Sequence, residues 1–153
     1  MRRLTALVFM LCCSLVVAAE LPYDEAADAR AAVQSALAQA SAAKVPLLIV
    51  FGANWCEDCR VLDKALGSGR NAALMAERFK VVKVDVGRFD RNLDIAAAYG
   101  NPIKKGIPAA VVVGADQRIL YATKAGELAD ARRMSESGIY DFFTAVSKIA
   151  QAR

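Results

Sequence analysis

Cys56 and Cys59 stand two residues apart in Trp55-Cys56-Glu57-Asp58-Cys59. That spacing serves either dithiol redox chemistry or half of a metal site. In the redox reading, Cys56 lies at the mouth of a helix, where unpaired backbone N–H groups and the macrodipole favour negative charge. The thiol is tipped toward thiolate, the attacking species in disulfide exchange. Cys59 follows about one turn later, faces the same sulfur, and can resolve a mixed disulfide. A structural zinc site would need two more soft ligands. The chain of 153 residues has no histidine, and its other two cysteines, Cys12 and Cys13, fall in a leader-like start. The missing histidine also removes Ser-His-Asp and Cys-His catalysis and nearly all catalytic zinc designs. Redox chemistry without a metal is the expectation.

The elements around the pair must hold it at a strand-to-helix junction. Pro46 to Phe51 is a short branched apolar run bounded by Pro46 and Gly52, which reads as a buried strand. A helix follows the first cysteine through Ala65 and Leu66 and ends near Gly67 and Gly69. Cys59, Leu62 and Leu66 share one face of it, which predicts partial burial of Cys59. Ahead of the strand, Glu20 to Tyr23 reads as an extended lead-in. Asp24 to about Lys44 reads as an amphipathic helix with Ala26, Ala29, Val33, Leu37 and Ala40 inward.

Beyond the motif, Asn71 to Arg78 predicts a helix and Phe79 to Val86 a strand, with Lys83 and Asp85 opposed to Val84 and Val86. For Lys83 and Asp85 a solvated strand face or a local ion pair is the plain reading. Gly87 to Arg91 is a loop, where Phe89 is read as a lid over apolar surface rather than a partner-facing patch. Asn92 to Tyr99 is a short helix closed by Gly100, and Asn101 to Gly106 an exposed loop. Ile107-Pro108 leads into the buried strand Ala109 to Val113, a turn at Gly114 to Gln117, and the strand Arg118 to Lys124. Glu127 to Ser137 is polar and irregular, with helical potential between Leu128 and Met134. The last helix presents Ile139, Phe142, Phe143, Val146, Ile149 and Ala150 as one apolar face. Strands alternating with helices give an α/β class.

Residues 1–19 combine a basic start, an apolar run from Leu4 to Val17 and the small-residue pattern Val17-Ala18-Ala19. These are the parts of a secretory signal peptide cut before Glu20, leaving 20–153 as one domain. The rival, an uncleaved membrane anchor, needs a run of about 20 apolar residues. Loss of Arg2 and Arg3 takes the balance from 20 basic against 16 acidic residues to 18 against 16. So small a surplus, with no basic stripe, gives no support for a nucleic-acid or membrane partner. An exported chain that stapled itself with disulfides would spread them between distant segments. A lone pair closing a tiny loop stabilises little by chain entropy, which favours catalysis.

The order of these parts resembles the thioredoxin family from about Lys44 to Ile149. The anchors are Ala53-Asn54-Trp55-Cys56-Glu57-Asp58-Cys59, Lys83-Val84-Asp85-Val86, Gly106-Ile107-Pro108 and Gly126. The likeness extends to exported bacterial members described as disulfide isomerases or thiol-disulfide interchange proteins. It implies a thioredoxin fold, a central mixed β-sheet flanked by helices, here with an additional N-terminal helix. It implies that Cys56 is the nucleophile and Cys59 the resolving thiol. Trp55 would shield the disulfide and contact a partner, against the ordinary reading of a lone Trp as core. Pro108 would be cis beside the cysteines, Ile107 would bond an extended substrate backbone, and Gly126 would complete the rim. The implied partners are protein or peptide thiols and disulfides, with a membrane electron donor. The redox disulfide would serve in place of a cofactor. The signal peptide points to the periplasm, and with no additional dimerising domain visible a monomer is the default.

Three departures from the family pattern bear on mechanism. The buried Asp that thioredoxins carry six residues before the first cysteine is Val50 here, so deprotonation of Cys59 falls to water, Lys83 or a motif carboxylate. The residues between the cysteines are Glu57 and Asp58, two carboxylates that oppose the helix dipole and raise the pKa of Cys56. That predicts a couple nearer the ~−270 mV of thioredoxin than the ~−120 mV of a strong oxidant, hence a reductase or isomerase. Third, Asn101 to Gly106 and Glu127 to Ser137 are longer than in a minimal thioredoxin. The alternative function is a binding or assembly module on the same fold, without redox turnover.

Overall fold

The computed structural model describes residues 21–151, so the leader-like stretch lies outside the described residues. Four strands form one mixed sheet in the order β2-β1-β3-β4, with β1 Leu47–Gly52, β2 Lys80–Asp85, β3 Ala109–Val113 and β4 Ile119–Ala122. β1 runs parallel to β2 and antiparallel to β3, and β3 pairs antiparallel with β4. Around the sheet lie α1 Ala29–Ala43, α2 Glu57–Leu66, α3 Gly69–Arg78, α4 Leu93–Ala98 and α5 Glu136–Gln151. No helix among the described residues is long and apolar enough to cross a membrane.

Every residue of β1 is buried, and the two-residue period of a strand divides its side chains between two layers. Leu47, Ile49 and Phe51 join Val33 and Ala40 of α1 and Ile95 of α4. Leu48 and Val50 join Leu62 of α2, Leu74 of α3 and Phe143 of α5. Cover on both faces is the reason this strand reads as a continuous apolar run rather than an alternating one.

Some elements depart from the sequence expectation for identifiable reasons. α1 begins at Ala29, not Asp24, because the Asp28 carboxylate accepts the Ala31 N–H at 3.0 Å and caps the helix there. The residues ahead of it turn inward at Tyr23, which is 3% exposed. Asn101 to Gly106 is no exposed loop: Pro102–Lys105 forms a 3-10 turn whose Pro102 and Ile103 are buried, Ile103 as part of the core. In the polar segment Ala131–Arg133 forms a 3-10 turn and Glu136 and Ser137 already open α5, while Leu128 and Ala131 are fully buried. β4 is shorter than Arg118 to Lys124, though Thr123 continues the pairing: its N–H donates to the Ala110 carbonyl at 2.9 Å and its hydroxyl accepts the Ala110 N–H at 3.1 Å. On α5 the predicted stripe holds at Ile139, Phe143 and Val146, but Ile149, past the last buried position at Ser147, is 39% exposed.

Candidate active site

β1 carries the chain to Gly52, and the turn Ala53 to Trp55 delivers Cys56 as the N-cap residue of α2. Its Sγ accepts the Cys59 N–H at 3.1 Å, so a sulfur occupies the place where an oxygen ordinarily caps a helix. Cys56 and Cys59 are joined as a disulfide. Their burial is unequal: Cys56 is 6% exposed, whereas Cys59 is wholly enclosed, deeper than the helical stripe alone predicts. An incoming nucleophile can meet only Cys56.

The opposite wall comes from the start of β3. The Ile107 carbonyl oxygen lies 3.6 Å from Cys56 Sγ, and the Ile107–Pro108 peptide bond is cis. Gly126 has φ +80°, and a Cβ there would lie 2.9 Å from the Lys105 carbonyl oxygen. The backbone that comes close to this glycine is therefore the chain's own, which gives the residue an internal reason to be glycine.

Trp55 is 49% exposed and fixed in place, its Nε1–H donating to the Gly87 carbonyl at 2.8 Å. Phe89 meets the indole edge-on with ring centroids 6.4 Å apart, and the Arg88 guanidinium stands 5.7 Å from the indole centroid. At 42% exposure Phe89 is no lid; with Trp55 it makes an outward aromatic patch beside the disulfide. The loop Gly87 to Arg91 turns it outward through a left-handed backbone at Phe89, φ 63°.

Glu57 and Asp58 do not act on Cys56 as two free carboxylates. Asp58 is buried and accepts the Arg132 N–H at 2.9 Å, while the Arg132 guanidinium lies 3.4 Å from both Asp58 and Glu57 oxygens. The cation cancels part of the charge that the motif brings to the thiolate, which weakens the predicted rise at Cys56. Sequence reasoning missed Arg132. The signal was a demand, two acids at a helix mouth calling for a counter-charge, with Arg132-Arg133 as cations in an otherwise acidic segment.

Lys83 forms an ion pair with Asp63 of α2 across the β2 face, the plain reading of that residue. Asp85 is buried and lies 3.5 Å from the Arg91 guanidinium. Burial pushes its carboxyl above the usual range, against the Gly87 N–H and the Arg91 cation, with Glu25 adding to the rise.

Tyr23 and Asn54 were also missed. The Asn54 side chain accepts the Tyr23 N–H at 3.0 Å and donates to the Tyr23 carbonyl at 2.8 Å, a two-way clasp on the lead-in. The phenol then reaches Gly52. A Cβ there would lie 3.0 Å from Cys59 Sγ and closer still to the Tyr23 hydroxyl. An aromatic residue closing the short lead-in was the available hint, since large aromatics are seldom left without packing. Among the described residues no group of three His, Cys, Asp or Glu side chains converges as a metal site requires.

Comparison with known proteins agrees with this geometry. A family model described as thioredoxin-like matches residues 28–115. No curated protein sequence matches the chain. The crystal structure of a disulphide isomerase from Xylella fastidiosa Temecula1 is 58% identical, covers 85% of this chain and 99% of its own, and superposes with a TM-score of 0.83. A DsbH oxidoreductase (18% identity, TM-score 0.57, 78% of this chain and 82% of its own) shares the fold. So does the solution structure of a thioredoxin from Thermus thermophilus (19%, 0.54, 76% and 82%). With the match spanning more than half of its length, from α1 through β3, the chain belongs to the thioredoxin-like family.

Proposed function

We propose that the chain is a thiol-disulfide oxidoreductase that reduces or isomerises disulfides in exported proteins. The observation that carries this reading is the unequal pair: Cys56 caps α2 beside Trp55 and keeps a small opening to solvent, and Cys59 is sealed behind it. The Cys59 N–H and the helix mouth favour charge on Cys56 once the disulfide opens. The 58% identity to a protein described as a disulphide isomerase supports the same class of chemistry.

In the reduced protein, the Cys56 thiolate attacks one sulfur of a substrate disulfide. A Cys56–substrate bond forms, the substrate S–S bond breaks, and the departing sulfur leaves as a thiolate that takes up a proton. In reduction, the Cys59 thiolate then attacks Cys56 Sγ and expels the second substrate sulfur. The substrate gains two electrons and the cysteine pair loses two. In isomerisation a thiol of the substrate itself displaces Cys56, and the pair ends reduced. Electrons reside in the cysteines, so no bound cofactor is required, and a membrane thiol-disulfide donor on the exported side would restore the dithiol. The Trp55–Phe89 patch offers apolar contact to a partly unfolded substrate.

Insulin reduction and refolding of a scrambled disulfide protein test this function. Activity should vanish in Cys56→Ser, and Cys59→Ser should hold substrates as stable mixed disulfides. Activity that survives Cys56→Ser, or a wild type with none, would turn the reading toward a binding module without turnover.

A further inference from the structure

Cys59 must lose a proton before it can attack, yet it is fully enclosed and touches no solvent. The Tyr23 hydroxyl stands near it: a Cβ at Gly52 would meet both that oxygen and Cys59 Sγ, the sulfur at 3.0 Å and the oxygen closer still. Tyr23 also walls a cavity of about 260 Å³ whose lining includes Val50, Asp63 and Lys83. Asp63 and Lys83, paired with each other, are about a third exposed. The space is large enough for several waters, and Tyr23, Asp63 and Lys83 set three polar groups in its otherwise apolar wall, enough to hold a water chain. Enclosed sulfur, phenol, cavity and a charged pair open to solvent thus stand in sequence.

We propose that Tyr23 and Asp63 form the proton path that serves Cys59, a role that rests on the oxidoreductase reading above. The Cys59 S–H gives its proton to the Tyr23 oxygen while the phenol O–H passes its own through cavity water to the Asp63 carboxylate. The freed Cys59 thiolate forms the bond to Cys56 Sγ, the substrate sulfur departs with the electrons of the broken bond, and Asp63 returns the proton to solvent. Tyr23 is unchanged at the end. Burial, with the charges of Asp63 and Asp85, holds the phenol protonated far above the usual range, so it hands protons on rather than resting as a phenolate. Lys83 positions the Asp63 carboxylate, and the Asn54 clasp positions Tyr23.

The test uses the full chain carrying Cys12→Ser and Cys13→Ser, reduced and mixed with an aromatic disulfide whose released thiol is coloured. The first equivalent reports attack by Cys56 and the second reports resolution by Cys59. Tyr23→Phe and Asp63→Asn should each slow the second release about tenfold, within the reach of acid–base assistance, and leave the first unchanged. Asp63→Glu should restore the rate, and the double variant should be no slower than the slower single one. A wild type that releases both equivalents while both variants match it would overturn the path alone. Equal slowing of both releases would overturn it too, by reducing the residues to structural support. A wild type that releases neither would overturn the oxidoreductase reading and the path together.

Discussion

The Asp58 carboxylate takes the backbone N–H of Arg132 on one oxygen, at 2.9 Å, and faces the guanidinium of the same residue with the other, at 3.4 Å. A segment 74 residues downstream is thereby fastened to the helix that carries both cysteines. The guanidinium is about half exposed, so its effect on the site is electrostatic and modest rather than a large contribution to stability.

Arg132→Ala should therefore act on the redox couple first. Without the cation, Glu57 and Asp58 bear on the Cys56 thiolate unopposed, the reduced form loses stability, and the potential becomes more negative by about 15 mV. Equilibration against glutathione measures it. The difference should shrink as salt is added. An unchanged potential at low salt would show that the carboxylates do not reach the sulfur.

Trp55→Ala should separate large substrates from small ones. In the proposed function the half-exposed indole would give contact area to a protein partner while touching none of the bonds exchanged. kcat/KM for insulin should fall about tenfold, the cost of one apolar anchor. Turnover of a small aromatic disulfide should change by less than about twofold. Equal losses on both substrates would mean that Trp55 supports the cysteines and not the partner.

Gly126→Ala should cost about 1–3 kcal/mol, since the residue combines a left-handed φ with a backbone oxygen where the methyl must go. Urea unfolding gives the value through the midpoint at unchanged slope. A loss below about 0.5 kcal/mol would mean that the Lys105 turn yields easily.

Glu127 holds the turn after β4, accepting the N–H groups of Lys124 at 3.0 Å and Ala125 at 3.1 Å. Partial burial raises its carboxyl, but these bonds, with its own N–H and the Tyr121 hydroxyl, outweigh it and leave the pKa lowered from 4.5. The folded value lies below the unfolded one. Its stabilising contribution is thus complete above about pH 4.5 and is lost as pH falls through the lowered value. Glu127→Gln should lower Tm by about 2 °C at neutral pH, and the gap should close in acid. A gap that persists undiminished below pH 3 would assign it to shape and not to charge.

The strands and the redox pair were legible because their signals are local. A branched run between Pro46 and Gly52, cysteines two residues apart, and Ile107-Pro108 before Ala109 each fix their own neighbourhood. Tyr23, Asn54 and Arg132 were not legible, because each acquires its part from a contact across the fold: 31 positions from Tyr23 to Asn54 and 74 from Asp58 to Arg132. Phe89 was misjudged for the same reason. Nothing near it in the chain says that Trp55 will be its neighbour. The hydrophobic period also cannot say where a supporting sheet stops, so Ile149 was counted inward although it lies past the last buried position.

The strand order carries a consequence for biosynthesis. β1 and β2 are both complete once Asp85 is made, but the other flank of β1 is filled by β3, encoded well after the cysteines. Until β3 is made, the two sulfurs therefore lack the wall that encloses them in the folded protein. In oxidising surroundings sulfurs without that wall would be open to cross-linking by passing thiols, and closing the pair would guard the unfinished protein against capture.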